Sequence, residues 1–363
     1  MDLMQVQQDT PHRNKPDPSY LVHFLCYHGV SLRDEHECSD EHVSVEHLRR
    51  RFEMLRQLDC TVLPLGEGVE RLGAGELPPR SVVLTFDDAL YDFKARAYPM
   101  LQEFGYHATV YVPSYYCSHP WPVFDVAASY LLWQGRGRPL KLDRLTGDGE
   151  AIEVPEDRRD RSALVNRIRQ LAAVRGYSGE DKNTLLRSLC EALDLDWGEF
   201  VASRIDQLMT PSELCTLDPR YVDLQLHTHR HRTPRNELLF TRELDDNIAA
   251  LESFGLSRAS LQHFCYPSGD VDRMFLPWLR SRGVQTATTC EPGLAAATCN
   301  PLLLPRVIDT MGMTEIEFRA WVNGAAALLP RRSGSVTSGY GTHSGLATHS
   351  SVTTGSSHAG RAD

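Results

Sequence analysis

Short apolar runs alternate with segments of helical period along most of this chain, and that alternation restricts the fold more than any other feature. YLVHFLCYHGV (residues 20–30) reads as a buried strand, SVEHLRRRFEMLRQLD (44–59) as an amphipathic helix, and CTVLPL and SVVLTF (81–86) as further strands. A helix about DFKARAYPMLQEFG and the strand HATVYVP (107–113) follow. After an interruption the pattern resumes with YVDLQLHT, the helix TRELDDNIAALESFG (241–255), LQHFCYP, DRMFLPWLRSRG, QTATT and LLLPRV. Strands that alternate with helices imply an α/β architecture, and 363 residues can bury a large core.

The interruption, from about Ser118 to Pro219, contains WPVFDVAASYLLWQ, RSALVNRIRQLAAVRGY, NTLLRSLCEALDL and TPSELCTL, all with helical spacing and charged faces. Acids and histidines do not converge there, so it reads as a mainly helical insertion rather than a second catalytic domain. Residues 1–19 are polar and read as a disordered leader. Residues 331–363 are rich in Ser, Gly and Thr and read as a disordered tail that carries His343, His349 and His358.

A formal charge of −10 offers no field for nucleic acid or an anionic membrane surface. No run approaches the ~18 apolar residues of a membrane span, and the start lacks a secretory signal pattern. The expectation is a cytoplasmic protein without a membrane span. Nine cysteines, an odd number without a C-x-x-C pair, fit reduced thiols better than a disulfide scaffold or a cysteine zinc site.

Two stretches carry candidate chemistry. LTFDD ends a strand in Asp87 and Asp88, and barrel enzymes place reacting groups at strand ends; the pair could serve as a metal ligand and a base, or be a solvated turn with an Asp cap. DLQLHTHRHRTP (223–234) spaces His227, His229 and His231 at every second position. A continuing strand puts all three on one side, and a helix puts His227 and His231 on one face with His229 elsewhere, so either keeps the outer two together. Two imidazoles and a carboxylate leave an open position for water on a hydrolytic zinc; the alternative is a His/Arg patch for an anion. FCYPSGD (264–270) ends another strand in a turn where Gly269 permits either a close backbone approach to a ligand or merely a tight turn.

In order along the chain, CYHGV, TFDD, H-T-x-x-H, F-x-YP-x-G and LPR resemble the polysaccharide deacetylases with a NodB homology domain, carbohydrate esterase family 4, and in particular the branch with YH near the start and FAYPYG as its third motif. The resemblance spans roughly Tyr20 to Arg306. It implies an irregular (β/α)7-type barrel acting on an acetylated carbohydrate. It also implies Asp87 as general base and Asp88, His227 and His231 as ligands of a divalent metal, usually zinc. His229 falls on the variable position, as a residue beside the ligands or on the substrate side; Tyr266 and Gly269 of the third motif are further substrate-binding candidates.

The chain departs from the pattern at two places. No late L-x-I-x-H motif follows LLLPRV, so His28 is the candidate general acid or substrate-binding residue, with a structural role in the barrel mouth as its alternative. Arg306 is the candidate to orient Asp87 by a charge-assisted bond, with a surface arginine as the alternative. Ser268 replaces the usual tyrosine of YPYG and removes an aromatic wall. The expected activity is removal of an acetyl group, N-acetyl ahead of O-acetyl, from a carbohydrate or polysaccharide precursor. The alternatives are a catalytically silent sugar-binding barrel and a metal-dependent amidohydrolase acting on a non-sugar amide.

Overall fold

The computed structural model describes residues 21–119, 121–141 and 151–328, so the leader and tail expectations, with His343, His349 and His358, lie outside the described residues. The described residues divide into two compact units, one of residues 21–119 and 208–328, the other of residues 121–141 and 151–207.

The first unit is built on parallel strands, here numbered β1 (Leu21–Tyr27), β2 (Ser81–Phe86), β3 (Ala108–Val112), β4 (Val222–Leu226), β5 (His263–Cys265), β6 (Thr286–Thr288) and β7 (Val307–Ile308). They lie in the order β6-β5-β4-β3-β2-β1, with β7 on the free side of β1. Residues 301–308 link the two ends of this sheet. Ala287 donates its N–H to Pro301 O and accepts from Leu304 N, while Val307 pairs with Leu25 of β1. The sheet therefore curls into an irregular barrel.

Every second strand residue faces inward, and the register stacks these residues in layers. Cys26 pairs with Thr85, Thr85 with Thr109, and Cys265 with Thr288. A hydrogen bond of 3.1 Å between Thr288 and the Tyr111 hydroxyl spans the interior between β6 and β3. Below the polar end, Val22, Phe24, Val83 and Leu304 fill the barrel, with Leu65 and Leu72 of the helix Leu65–Ala74 packed among them. The LLLPRV segment contributes only Val307 and Ile308 as strand, because Pro305 and the inward-turning Arg306 precede it.

The second unit is mainly helical. Phe124–Gln134, Arg158–Val174, Gly179–Ala192 and Trp197–Ser203 pack through Leu131, Leu132, Leu164, Ile168, Leu186 and Phe200, beside the hairpin of Pro139–Lys141 and Ala151–Glu153. Residues 208–219 belong to the first unit, where Met209 donates to Ala89 O and Leu208 bridges Leu90. Among the described residues no helix is long and apolar enough to cross a membrane.

Outside the barrel wall, a buried ion pair ties the last strand to the first helix. Arg51 of the helix Val45–Gln57 donates Nε to Asp309 Oδ2 at 2.9 Å and Nη2 to Oδ1 at 3.1 Å. The Tyr27 hydroxyl donates to the same carboxylate at 3.0 Å, and Phe318 lies under the guanidinium. Removing one member leaves a buried charge without its partner. Asp309→Asn is expected to lower unfolding free energy by about 3–5 kcal/mol, read from denaturant titration.

Candidate metal-binding active site

The inward-facing series of several strands end at one mouth of the barrel. Asp87 follows β2 and extends the inward set Val83, Thr85; His28 extends Cys26 on β1; His227 follows β4. Asp87 is 3% exposed and lies against the guanidinium of Arg306, which is 0% exposed, with Nη1–Oδ1 and Nη2–Oδ2 both 2.7 Å. Arg306 has its remaining N–H groups occupied as well: Nε donates to Thr289 O, Nη1 to the Thr85 hydroxyl, and Nη2 to Cys265 Sγ. Its plane and position are thereby fixed. Burial pushes the Asp87 carboxyl up, but Arg306 foremost, with His28 and His227, outweighs it and holds the group below the usual carboxylate range. His28 Nε2 stands 3.8 Å from Asp87 Oδ2 and is 12% exposed.

Asp88 points elsewhere. Its Oδ1 is 3.3 Å from His227 Nε2 and 3.2 Å from His231 Nε2. The segment after β4 is neither a continued strand nor a helix: Thr228 and His231 both adopt left-handed backbone, at φ 59 and 52, and this folds the loop so that the His227 and His231 rings meet edge to face at 4.9 Å. His229 points away from that group. Its Nδ1 hydrogen-bonds with the Ser114 hydroxyl at 2.9 Å and its ring lies edge to face with Tyr115. Burial, then the charge of Arg230, keep that imidazole below its ordinary value.

The donor set fits a divalent cation. His227 Nδ1 donates to the Cys265 carbonyl at 2.8 Å, which leaves the lone pair on Nε2. That atom is buried, has no hydrogen-bond partner among the described residues, and faces a carboxylate oxygen. A neutral imidazole nitrogen and a carboxylate oxygen at this distance are two acceptors in contact, which a cation held between them would reconcile. Tetrahedral ligands at about 2.0–2.1 Å from zinc stand roughly 3.3 Å apart, close to the separations present here. Burial would depress the His231 imidazole, but Asp88, then Glu41 and Asp87, raise it, in keeping with a site that accumulates negative potential.

Two groups missed in the sequence hold the histidine loop. Glu243 and Asn247, four apart on the helix Glu237–Ser253, lie on its buried face. Asn247 accepts from His227 N–H and donates to Val112 O and the Ser114 hydroxyl. Glu243, 1% exposed, accepts from Arg230 N–H, Arg230 Nη1 and Arg232 Nε, while its own carbonyl accepts from His229 N–H. The arginines interleaved with the histidines thus bind an internal anion. Polar residues on the core stripe of this helix, among Phe240, Leu244 and Ile248, were the available signal.

Two expectations need correction. Tyr266 is 1% exposed and its hydroxyl donates to Leu302 O, because Cys265 takes the inward position on β5 and sends its neighbour outward into the core; its side chain does not face the mouth. Gly269 donates its N–H to Tyr266 O and sits at φ 64, where a Cβ would also come within 3.1 Å of Cys290. It shapes the turn rather than offering that N–H to a ligand.

Residues 74–129 match the family model described as polysaccharide deacetylase, a stretch that includes Asp87 and Asp88. No curated protein matches the chain in sequence. The fold is similar to that of the Streptococcus pyogenes deacetylase PplD in complex with acetate, with TM-score 0.54 and 17% identity over 83% of this chain and 98% of that one. It is also similar to a polysaccharide deacetylase from Bacillus cereus (TM-score 0.50, 16% identity, 83% and 69% covered). IcaB from Ammonifex degensii gives TM-score 0.50 and 16% identity over 84% and 96% of the two chains.

Because Glu243 holds the loop that presents both histidines, Glu243→Gln is expected to weaken divalent-cation affinity at this site, probed with zinc in chelator competition, by about 10–100-fold.

Proposed function

We propose that this chain, which carries a polysaccharide deacetylase domain, is a metal-dependent hydrolase that removes acetyl groups from an N-acetylated carbohydrate or polysaccharide precursor. The observation that carries this reading is the division of labour between adjacent acids: Asp87 is locked to Arg306, and Asp88 stands against two imidazoles. A sugar-binding barrel that merely held a cation would need Asp88 alone. A buried arginine with its donors committed around Asp87 supports a base kept ionised for catalysis.

Asp88, His227 and His231 would hold the cation, for which two imidazoles and a carboxylate favour zinc. Such a cation, when bound, would polarise an amide carbonyl and lower the pKa of a water molecule. Asp87 would take a proton from the attacking water, and Arg306 keeps the carboxylate ionised and fixes its direction. His28, at the same mouth and 3.8 Å from Asp87, supplies a proton to the departing amine. Seen from the amide, the C–N bond breaks, hydroxyl adds to the acyl carbon, and acetate and a free amine leave. The nine cysteines are free thiols, which fits a reducing compartment, and the reading therefore includes a cytoplasmic precursor as substrate.

Acetate release should appear with zinc-loaded protein on N-acetylated oligosaccharides and be slower on O-acetylated ones; no release from any of them sinks the reading. Asp87→Asn at equal zinc content is expected to lower the rate by about 10²–10⁴-fold. Arg306→Gln removes the charge that depresses the Asp87 carboxyl while the burial that raises it remains. The acid limb of kcat/KM should therefore move to higher pH, with activity partly recovered in alkali, whereas an arginine that only stabilises the fold would leave that limb in place.

A further inference from the structure

A second set of metal-type donors converges at the barrel mouth, and its sulfur takes no part in the chemistry above. Cys26 and His28 are two apart at the end of β1, so both face inward, beside Asp87 at the end of the adjacent strand. Cys26 Sγ lies 3.7 Å from Asp87 Oδ2, and His28 Nε2 lies 3.8 Å from the same oxygen. One donor atom from each of the three lies within 4.8 Å of the other two. Zinc takes sulfur at about 2.3 Å and nitrogen or oxygen at about 2.0–2.2 Å, which sets tetrahedral ligands roughly 3.3–3.6 Å apart.

We propose that Cys26, His28 and Asp87 form a second site, selective for thiophilic divalent cations such as cadmium and zinc, separate from Asp88, His227 and His231. The two sets share no residue. A third grouping, Asp87 with His227 and Cys265, also meets the distance condition but shares His227 with the first and cannot be filled beside it. On binding, the Cys26 S–H bond breaks, the proton leaves to solvent, and the sulfur lone pair goes to the cation; no electron is transferred. Arg306 already occupies both Asp87 oxygens, so this site binds more weakly than the first. Its consequence, which rests on the deacetylase reading, is inhibition by excess cation. An Asp87 carboxylate engaged by a cation cannot take a proton from water, and a ligated His28 cannot give one.

The test is a cadmium titration of the metal-stripped full chain, following bound equivalents and the near-ultraviolet thiolate-to-cadmium absorption. The expected result is a tighter equivalent without sulfur absorption, followed by a weaker one that brings it. Cys26→Ser should lose the second equivalent and its absorption, retain acetate release, and tolerate at least tenfold more zinc or cadmium before inhibition; Cys215→Ser, at an exposed thiol, should behave as the unmodified chain. A single equivalent with no sulfur absorption overturns the proposal, as does persistence of that absorption in Cys26→Ser. If Cys26→Ser does not fold, cadmium-113 NMR of the unmodified chain decides, with a resonance in the mixed sulfur and nitrogen range for the second equivalent or none. A sulfur-bound second equivalent in a chain that releases no acetate leaves the site standing and removes the deacetylase reading alone.

Discussion

The pairing of Asp87 with Arg306 organises the barrel mouth. A carboxylate buried to this depth is costly in isolation, and a guanidinium with no exposed surface is equally so. Each is tolerable because the other meets it in bidentate geometry and because Thr289 O, Thr85 and Cys265 absorb the remaining donors. The pair also ties the segment that closes the barrel to β2, since Arg306 enters from residues 301–308. The segment whose main chain closes the sheet therefore also carries the group that orients the acid.

A similar economy governs the histidine loop. Two non-glycine residues in left-handed backbone, Thr228 and His231, each cost about 1–2 kcal/mol, and a loop of that shape needs an external hold. Helix Glu237–Ser253 supplies it through Glu243 and Asn247, which satisfy backbone N–H groups and both arginine side chains. The charge of Glu243 is buried only because Arg230 and Arg232 accompany it.

The order of strands and helices was legible because each strand is an apolar run that stops at a turn. The grouping of His227 with His231 was legible from spacing alone, although by neither of the geometries that spacing suggested: left-handed threonine and histidine carry no sequence signature of the kind glycine gives. Tyr266 could have been placed correctly by alternation, since Cys265 as an inward residue sends Tyr266 outward. Arg306 and Asp87 stand 219 positions apart, and no local pattern links them; only the order of motifs put them in one mouth. The thiols of Cys26 and Cys265 beside Asp87 left no trace, because a C-x-H step along a strand matches none of the spacings by which cysteine metal sites are read.

Adjacent acids with different partners raise a geometric question, because consecutive residues on a strand point to opposite faces and one of the two should leave the barrel. The chain avoids this by ending β2 at Phe86, keeping Asp87 in the inward series, and turning left-handed at Asp88 and Ala89, with φ of 68 and 53. That turn swings Asp88 back over the mouth toward His227 and His231. Two successive left-handed residues without glycine are strained, and the strain is met locally: Ala89 O accepts from Met209 N–H, and Leu90 bridges Leu208. Residues 208 and 209 thus brace the turn that sets one acid against the two imidazoles while its neighbour meets Arg306.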